Sequence, residues 1–120
     1  MASPDRLTRT ADLTLVRREG KRVRTPLLEV RVLASLLRPA SHSRIGLVVP
    51  KHRQTAVARN RLKRRLRALT REHWTVAFAG MPARDVALYA LPSAYQATFD
   101  ALRGDVQRLG AKVAAMPDGA

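Results

Sequence analysis

The sequence predicts one α/β domain, with three helices packed on a sheet of about four strands. Two observations carry this expectation: strand-like runs at 27–34, 44–49 and 85–91, and a long helical pattern between the second and third of them. A strand–helix–strand unit of this kind belongs to architectures that layer helices on a sheet. A length of 120 residues fits a single domain with a modest core. In this reading residues 6–115 are the domain, and 1–5 and 116–120 are flexible ends.

The elements follow in chain order. "TADLTLVRREG" (10–20) reads as a short helix: Leu13 and Val16 fall three apart, Thr10 is placed to cap the start and Gly20 to end it. "LLEVRVLA" (27–34) alternates, with Leu28, Val30 and Val32 on one face and Glu29 and Arg31 on the other. "SLLRPASHS" (35–43) supplies turn residues, and "RIGLVV" (44–49) is a continuous apolar run expected as a central strand, stopped by Pro50. Thr55 is placed to cap a helix that runs to about His73 or Trp74. "GMPARD" (80–85) breaks the chain before the strand "DVALYAL" (85–91). After Pro92, Ser93 and Gln96 have capping-box spacing. Phe99, Leu102, Val106, Leu109 and Val113 then form the apolar stripe of a last helix. Three helices cannot hide both faces of a four-stranded sheet, so part of one face is expected to stay open.

Composition narrows the function. The chain carries 23 Lys+Arg against 9 Asp+Glu, a formal +14 with a pI near 11.8. Such a field favours polyanions. With no cysteine there is no disulfide framework, thiolate nucleophile or Cys-based zinc site. "MASPDRLTRT" lacks the apolar core of a signal peptide, and no apolar run approaches membrane-spanning length, so a cytoplasmic location is expected.

The charge concentrates in "ARNRLKRRLR" (58–67). At about 100° per residue, Ala58, Leu62, Leu66 and Leu69 form one buried stripe. Arg59, Arg61, Lys63, Arg64, Arg67 and Arg71 spread over the rest of the circumference, and Arg65 flanks the stripe. A solvated charged face usually mixes signs so that i,i+4 pairs attract. This one sets Arg59 against Lys63 and Lys63 against Arg67, a repulsion that phosphates would reverse. Asn60 adds an amide that donates and accepts at once, suited to a base edge, a phosphate or a water; locally it can also serve as an auxiliary cap.

In "RIGLVVPKHRQTAVARNRLKRRLRALTRE" (44–72) an apolar strand, a basic turn, Ala-Val, one residue, Arg-Asn-Arg and a Lys/Arg-rich helix follow in fixed order. The segment resembles the protein component of bacterial ribonuclease P. "RLTRTADLTLVRREG" (6–20) and "RDVALYALPSAYQATFDALRGDVQRL" (84–109) extend the resemblance over about residues 6–113. It implies an α/β sandwich similar to domain 2 of ribosomal protein S5, with a left-handed βαβ crossover. It also implies a subunit that binds the catalytic RNA and the 5′ leader of precursor tRNA and assists endonucleolytic removal of that leader. Magnesium ions would be held mainly by the RNA. By motif match, Lys51, Arg53, Arg59, Asn60, Arg61, Lys63, Arg64 and Arg67 would meet the RNA subunit. The family's usual aromatics in the first helix and following strand are replaced, by Leu13 and Arg17 and by Leu28 or Arg31. A more electrostatic leader cleft of Leu13, Arg17, Arg24, Arg31 and Tyr89 is therefore expected. Gln54 stands where the family usually has glycine, which leaves the turn before the helix open. The implied partners are ribonuclease P RNA and precursor tRNA, with no membrane and no obligate protein partner.

A protein-borne hydrolytic site would need clustered carboxylates or a paired acid and base. Asp12, Glu19, Glu29, Glu72, Asp85, Asp100 and Asp105 are scattered, and so are His42, His52 and His73. His52, between Lys51 and Arg53, reads as part of the RNA surface. No catalytic residue is expected in the protein. The competing reading is a non-enzymatic RNA-binding module of ribosomal or architectural type with a similar fold. A basic zipper lacks its heptads, and a membrane-surface helix lacks its broad apolar face.

Overall fold

Alternation in "LEVRVLA" and burial of nearly all of "RDVALYA" decide the centre of the molecule. The computed structural model describes residues 6–34 and 42–116. It contains helix α1 (Thr10–Glu19), strands β1 (Lys21–Arg24), β2 (Leu28–Ala34) and β3 (Arg44–Val48), and helix α2 (Ala56–Ala77). Strand β4 (Arg84–Ala90), a short 3-10 helix (Pro92–Gln96) and helix α3 (Phe99–Ala114) complete it. The sheet order is β1-β2-β4-β3, with β3 parallel to β4 and the other pairs antiparallel. The loose ends expected at 1–5 and 116–120 lie outside the described residues except for Met116, as does the expected turn at 35–43 except for its last two residues.

Helices α2 and α3 cover one face. Leu28, Val30 and Val32 of β2 and Val86 and Leu88 of β4 meet Leu62, Leu66, Leu69 and Trp74 of α2 and Leu102, Val106, Leu109 and Val113 of α3. On the other face α1 buries only Val16, with Leu7 and Ala87, so that face is half-covered. Gly20 ends α1 as expected, though not by a left-handed twist. A Cβ there would lie 2.3 Å from the Val16 carbonyl oxygen and 3.1 Å from the Val32 backbone. Close passage of the helix end over β2 requires the glycine.

Five local expectations are corrected. β3 is the outer strand of the described sheet, beside β4; it is apolar because the core lies on one side and Leu7 and Leu13 press on Gly46 from the other. Its free edge carries a bridge from Arg6, with Leu7 N–H donating to the Ile45 carbonyl at 3.0 Å. β1 has no periodic apolar signal; pairing with β2 makes it a strand. Thr10 is the first helical residue, and Arg9 occupies the cap position without a side-chain bond. α2 continues to Ala77 because Trp74 is fully buried, stacks 5.5 Å from Phe78 and donates to the Val106 carbonyl at 2.8 Å. The capping box is not used: Ser93 donates to the Pro26 carbonyl, and Thr98 caps α3 through Ala101 N–H. Phe99 consequently lies outside the stripe, 38% exposed, with the Arg103 guanidinium 5.1 Å from its ring centre.

Candidate nucleic-acid interface

The basic turn comes first. His52 (φ 48°) and Arg53 (φ 67°) are both left-handed, and Gln54 N–H closes the turn on the Lys51 carbonyl at 2.8 Å. These are the described non-glycine residues with positive φ, so the strained positions precede Gln54, which accommodates a side chain without strain. The turn is held from behind. The His52 ring lies 3.2 Å from the Ala90 carbonyl and edge-on to Tyr95 at 6.2 Å, while the Tyr95 hydroxyl donates to Pro50 at 2.5 Å. His52 is thus an anchor of the turn, and Lys51 and Arg53 project from it.

Thr55 caps α2 as expected, accepting from Ala58 N–H at 3.1 Å. Leu62, Leu66 and Leu69 are buried, joined by Thr70 and Trp74, and Ala58 is half-buried. This stripe orients the cations. Asn60, Arg61 and Arg64 are exposed, while Arg59, Lys63, Arg65 and Arg67 are half-buried. Arg59 Nε donates to the Val49 carbonyl at 2.6 Å, so its side chain also fixes the entry of the helix against the end of β3. Among the described residues, no carboxylate lies within 4.0 Å of Lys51, Arg53 or any Lys or Arg of α2.

The described carboxylates are engaged elsewhere. Asp85, fully buried, takes a two-pronged bond from Arg44 at 3.0 and 2.8 Å, and Arg44 also reaches Asp12 at 3.4 Å. Asp105 accepts from Leu27 N–H at 2.9 Å and from Arg108. Among the described residues no three His, Asp or Glu come together to hold a metal.

The half-open face gathers a second set. Strand pairing sets Arg22 opposite Arg31 and Arg24 opposite Glu29. Arg22, Arg24 and Arg31 converge on Glu29 at 3.9, 3.7 and 3.4 Å, leaving positive charge in excess. Arg31 also donates to the Arg17 carbonyl at 2.8 Å. Burial pushes the Tyr89 hydroxyl above the ordinary tyrosine value against the charges of Arg17 and Arg31, so it remains a donor at neutral pH. Arg17, Arg24, Arg31 and Tyr89 thus share one neighbourhood. Leu13 lies on the same sheet face, packed like Tyr89 against the Leu7, Val16 and Ala87 cluster and covering Gly46 of β3. Arg22 was not singled out from the sequence; only the pairing of β1, which has no local signal, brings it to this face.

A profile of the family described as Ribonuclease P matches residues 1–114. The chain is 41% identical over 90 residues to the ribonuclease P protein component of Syntrophobacter fumaroxidans, covering 75% of this chain and 71% of that one. It is 36% identical over 109 residues to the ribonuclease P protein component of Pseudarthrobacter chlorophenolicus, covering 88% and 74%. Its fold is similar to the RNase P protein of Staphylococcus aureus, with a TM-score of 0.76 at 23% identity over 94% of this chain and 97% of that one. These findings favour the resemblance over a ribosomal or architectural module. The chain belongs to the ribonuclease P protein component family, the protein subunits of a ribonucleoprotein endonuclease.

Proposed function

We propose that this chain docks on ribonuclease P RNA through the turn at 50–54 and the exposed side of α2, and holds the 5′ leader of precursor tRNA on the half-open sheet face. One observation carries the proposal: Lys51, Arg53, Arg61, Lys63, Arg64 and Arg67 have no carboxylate partner among the described residues. Left alone they repel; against phosphates they release counterions and gain affinity. Arg53 projects from a strained turn, a feature common where backbone is held for binding. Asn60, exposed beside Arg61, supplies the donor and acceptor that charge alone does not.

On the other face, Arg17, Arg24 and Arg31 offer cations to the leader backbone, and Tyr89 offers a hydroxyl donor. Magnesium ions held by the RNA supply the hydrolytic chemistry. The residues of this chain neutralise phosphates and hold the leader in register, in a cytoplasmic complex. Reconstitution tests the proposal. The chain, ribonuclease P RNA and a precursor tRNA at low magnesium should give faster 5′ cleavage than the RNA alone. Absence of stimulation defeats the docking reading, and cleavage by the chain without RNA defeats the assignment of chemistry to the RNA. A crosslinking map with no leader contact near Arg31 and Tyr89 removes the leader cleft.

A further inference from the structure

A groove of about 350 Å³ runs along the β3 edge, between residues 6–8 and α2. Leu7, Leu13, Ile45 and Leu47 supply its apolar lining. Gly46 seats that lining directly on the strand, since a Cβ there would lie 2.6 Å from the Leu7 carbonyl oxygen and 2.8 Å from Leu13 Cδ2. The opposite wall is α2, one ridge of it with Thr70 alongside. Lys63, Arg67, Arg71 and Thr75 follow one another at i,i+4 and all line the groove. Successive residues of such a ridge rise about 6 Å along the helix. Arg6 lines it as well. None of these four cations has a carboxylate within 4.0 Å among the described residues.

A row of unpaired cations beside an apolar lining has two complementary halves. A phosphate alone would use the ridge and leave the lining wet; an uncharged ligand would use the lining and leave the ridge repelling itself. A nucleotide carries both groups, charge on its backbone and a flat base beside it. The volume lies at the small end of ligand pockets, which span about 300–1,000 Å³. It is too small for a duplex. Bases splayed out of single-stranded loops are what proteins characteristically read in RNA. We infer that this groove receives one unpaired nucleotide of ribonuclease P RNA, with its phosphates along Lys63, Arg67 and Arg71 and its base on Leu13, Ile45 and Leu47. The inference rests on the docking of that RNA along α2 and adds a point at which one base leaves the RNA's own stack.

The test uses the full chain and ribonuclease P RNA, first without precursor tRNA. Thr75→Trp, at an exposed helix position, keeps every charge and fills the groove. It should weaken RNA binding about tenfold, the scale of one well-seated base, with the salt dependence unchanged. Arg71→Ala should lower the log–log salt slope by about one unit. Chemical probing of the RNA should show one unpaired base protected by the wild-type chain and freed by both variants. Wild-type affinity and unchanged protection with Thr75→Trp would overturn the inference; if that variant unfolds early, protection retained with Arg71→Ala overturns it. Weakening seen only with a leader-bearing precursor present also overturns it, because the occupant is then the leader. Failure of the underlying docking reads differently: Arg61→Ala and Arg64→Ala, outside the groove, would then leave RNA affinity at the wild-type value.

Discussion

At Arg53, a φ of 67° places a long cationic side chain in a region that L residues other than Asn and Asp avoid. Replacement by glycine relieves that strain and removes a charge. Arg53→Gly should therefore raise unfolding stability by about 1 kcal/mol while weakening RNA binding. Thermal unfolding and filter binding of the same preparation check both halves, and a variant that loses stability contradicts the strain account. Asn60 differs in kind from its neighbours. Arg61→Ala should reduce the salt slope by about one unit, whereas Asn60→Ala should lower affinity and leave the slope unchanged. A slope that falls equally for both would make Asn60 a mere spacer between phosphate contacts.

Among the elements, α3 is tied to the rest of the fold at its middle and at its C-terminal end. Near its middle, Asp105 accepts from Leu27 N–H and Arg108, holding the β1–β2 turn against the helix. Burial alone would raise the Asp105 carboxyl; the bonds from Arg108, Thr25 and Leu27 N–H outweigh it, and the pKa lies below the ordinary aspartate value of 3.8. A carboxyl depressed in the folded state contributes stability above its unfolded pKa and loses it as pH falls through the folded one. The advantage of wild type over Asp105→Asn should then be full above about pH 5 and fade on acidification below about pH 4. Denaturant titrations at several pH values measure it, and a gap that widens in acid contradicts the assignment. At the far end, the buried Arg84 guanidinium donates to the carbonyls of Val113 and Met116 at 2.5 and 2.7 Å. Arg84→Met removes the guanidinium from both, leaving the Val113 carbonyl only the Met116 N–H, and should cost about 2–3 kcal/mol in denaturant unfolding. A loss below half that would mean water replaces the bonds.

The whole molecule is a +14 body, 39 Å in its longest dimension. At physiological ionic strength screening acts over about 8 Å, less than the spread of its charge. Two responses to salt should therefore oppose one another. The free chain should unfold at higher temperature as salt rises, because self-repulsion is screened. RNA affinity should fall steeply over the same range as counterion release is lost. Calorimetry of the free chain and binding isotherms across one salt series test the pair. A free chain destabilised by salt would mean that its ion pairs, such as Arg44–Asp85, outweigh the unpaired cations. The helices also sit unequally on the sheet, two on one face and one on the other. The main core occupies the first face, and the second carries only the smaller cluster of Leu7, Val16 and Ala87.

Local pattern was sufficient for α1, β2 and α2, whose apolar positions repeat on one side, and for β4, a continuous apolar run buried on both faces. Leu28, Val30 and Val32 or Leu62, Leu66 and Leu69 read as buried faces before any partner is known, and they are. The cations of α2 were legible as the residues off that stripe, but only the fold makes Arg59, Lys63, Arg65 and Arg67 half-buried. Long-range pairing settled what had no local signal. Lys21–Arg24 is charged at three of its four positions and becomes a strand only against β2, which is what carries Arg22 and Arg24 to Glu29. "RIGLVV" looks central from its hydrophobicity, yet it lies at the edge, because contacts on both its faces mimic the burial of an inner strand. Gln54 marks the same division. Its departure from the family pattern was plain in the chain, but only the path of the backbone shows that the left-handed residues are His52 and Arg53. A residue's strain depends on the dihedral imposed on it, and that is set by where both ends of the turn are held.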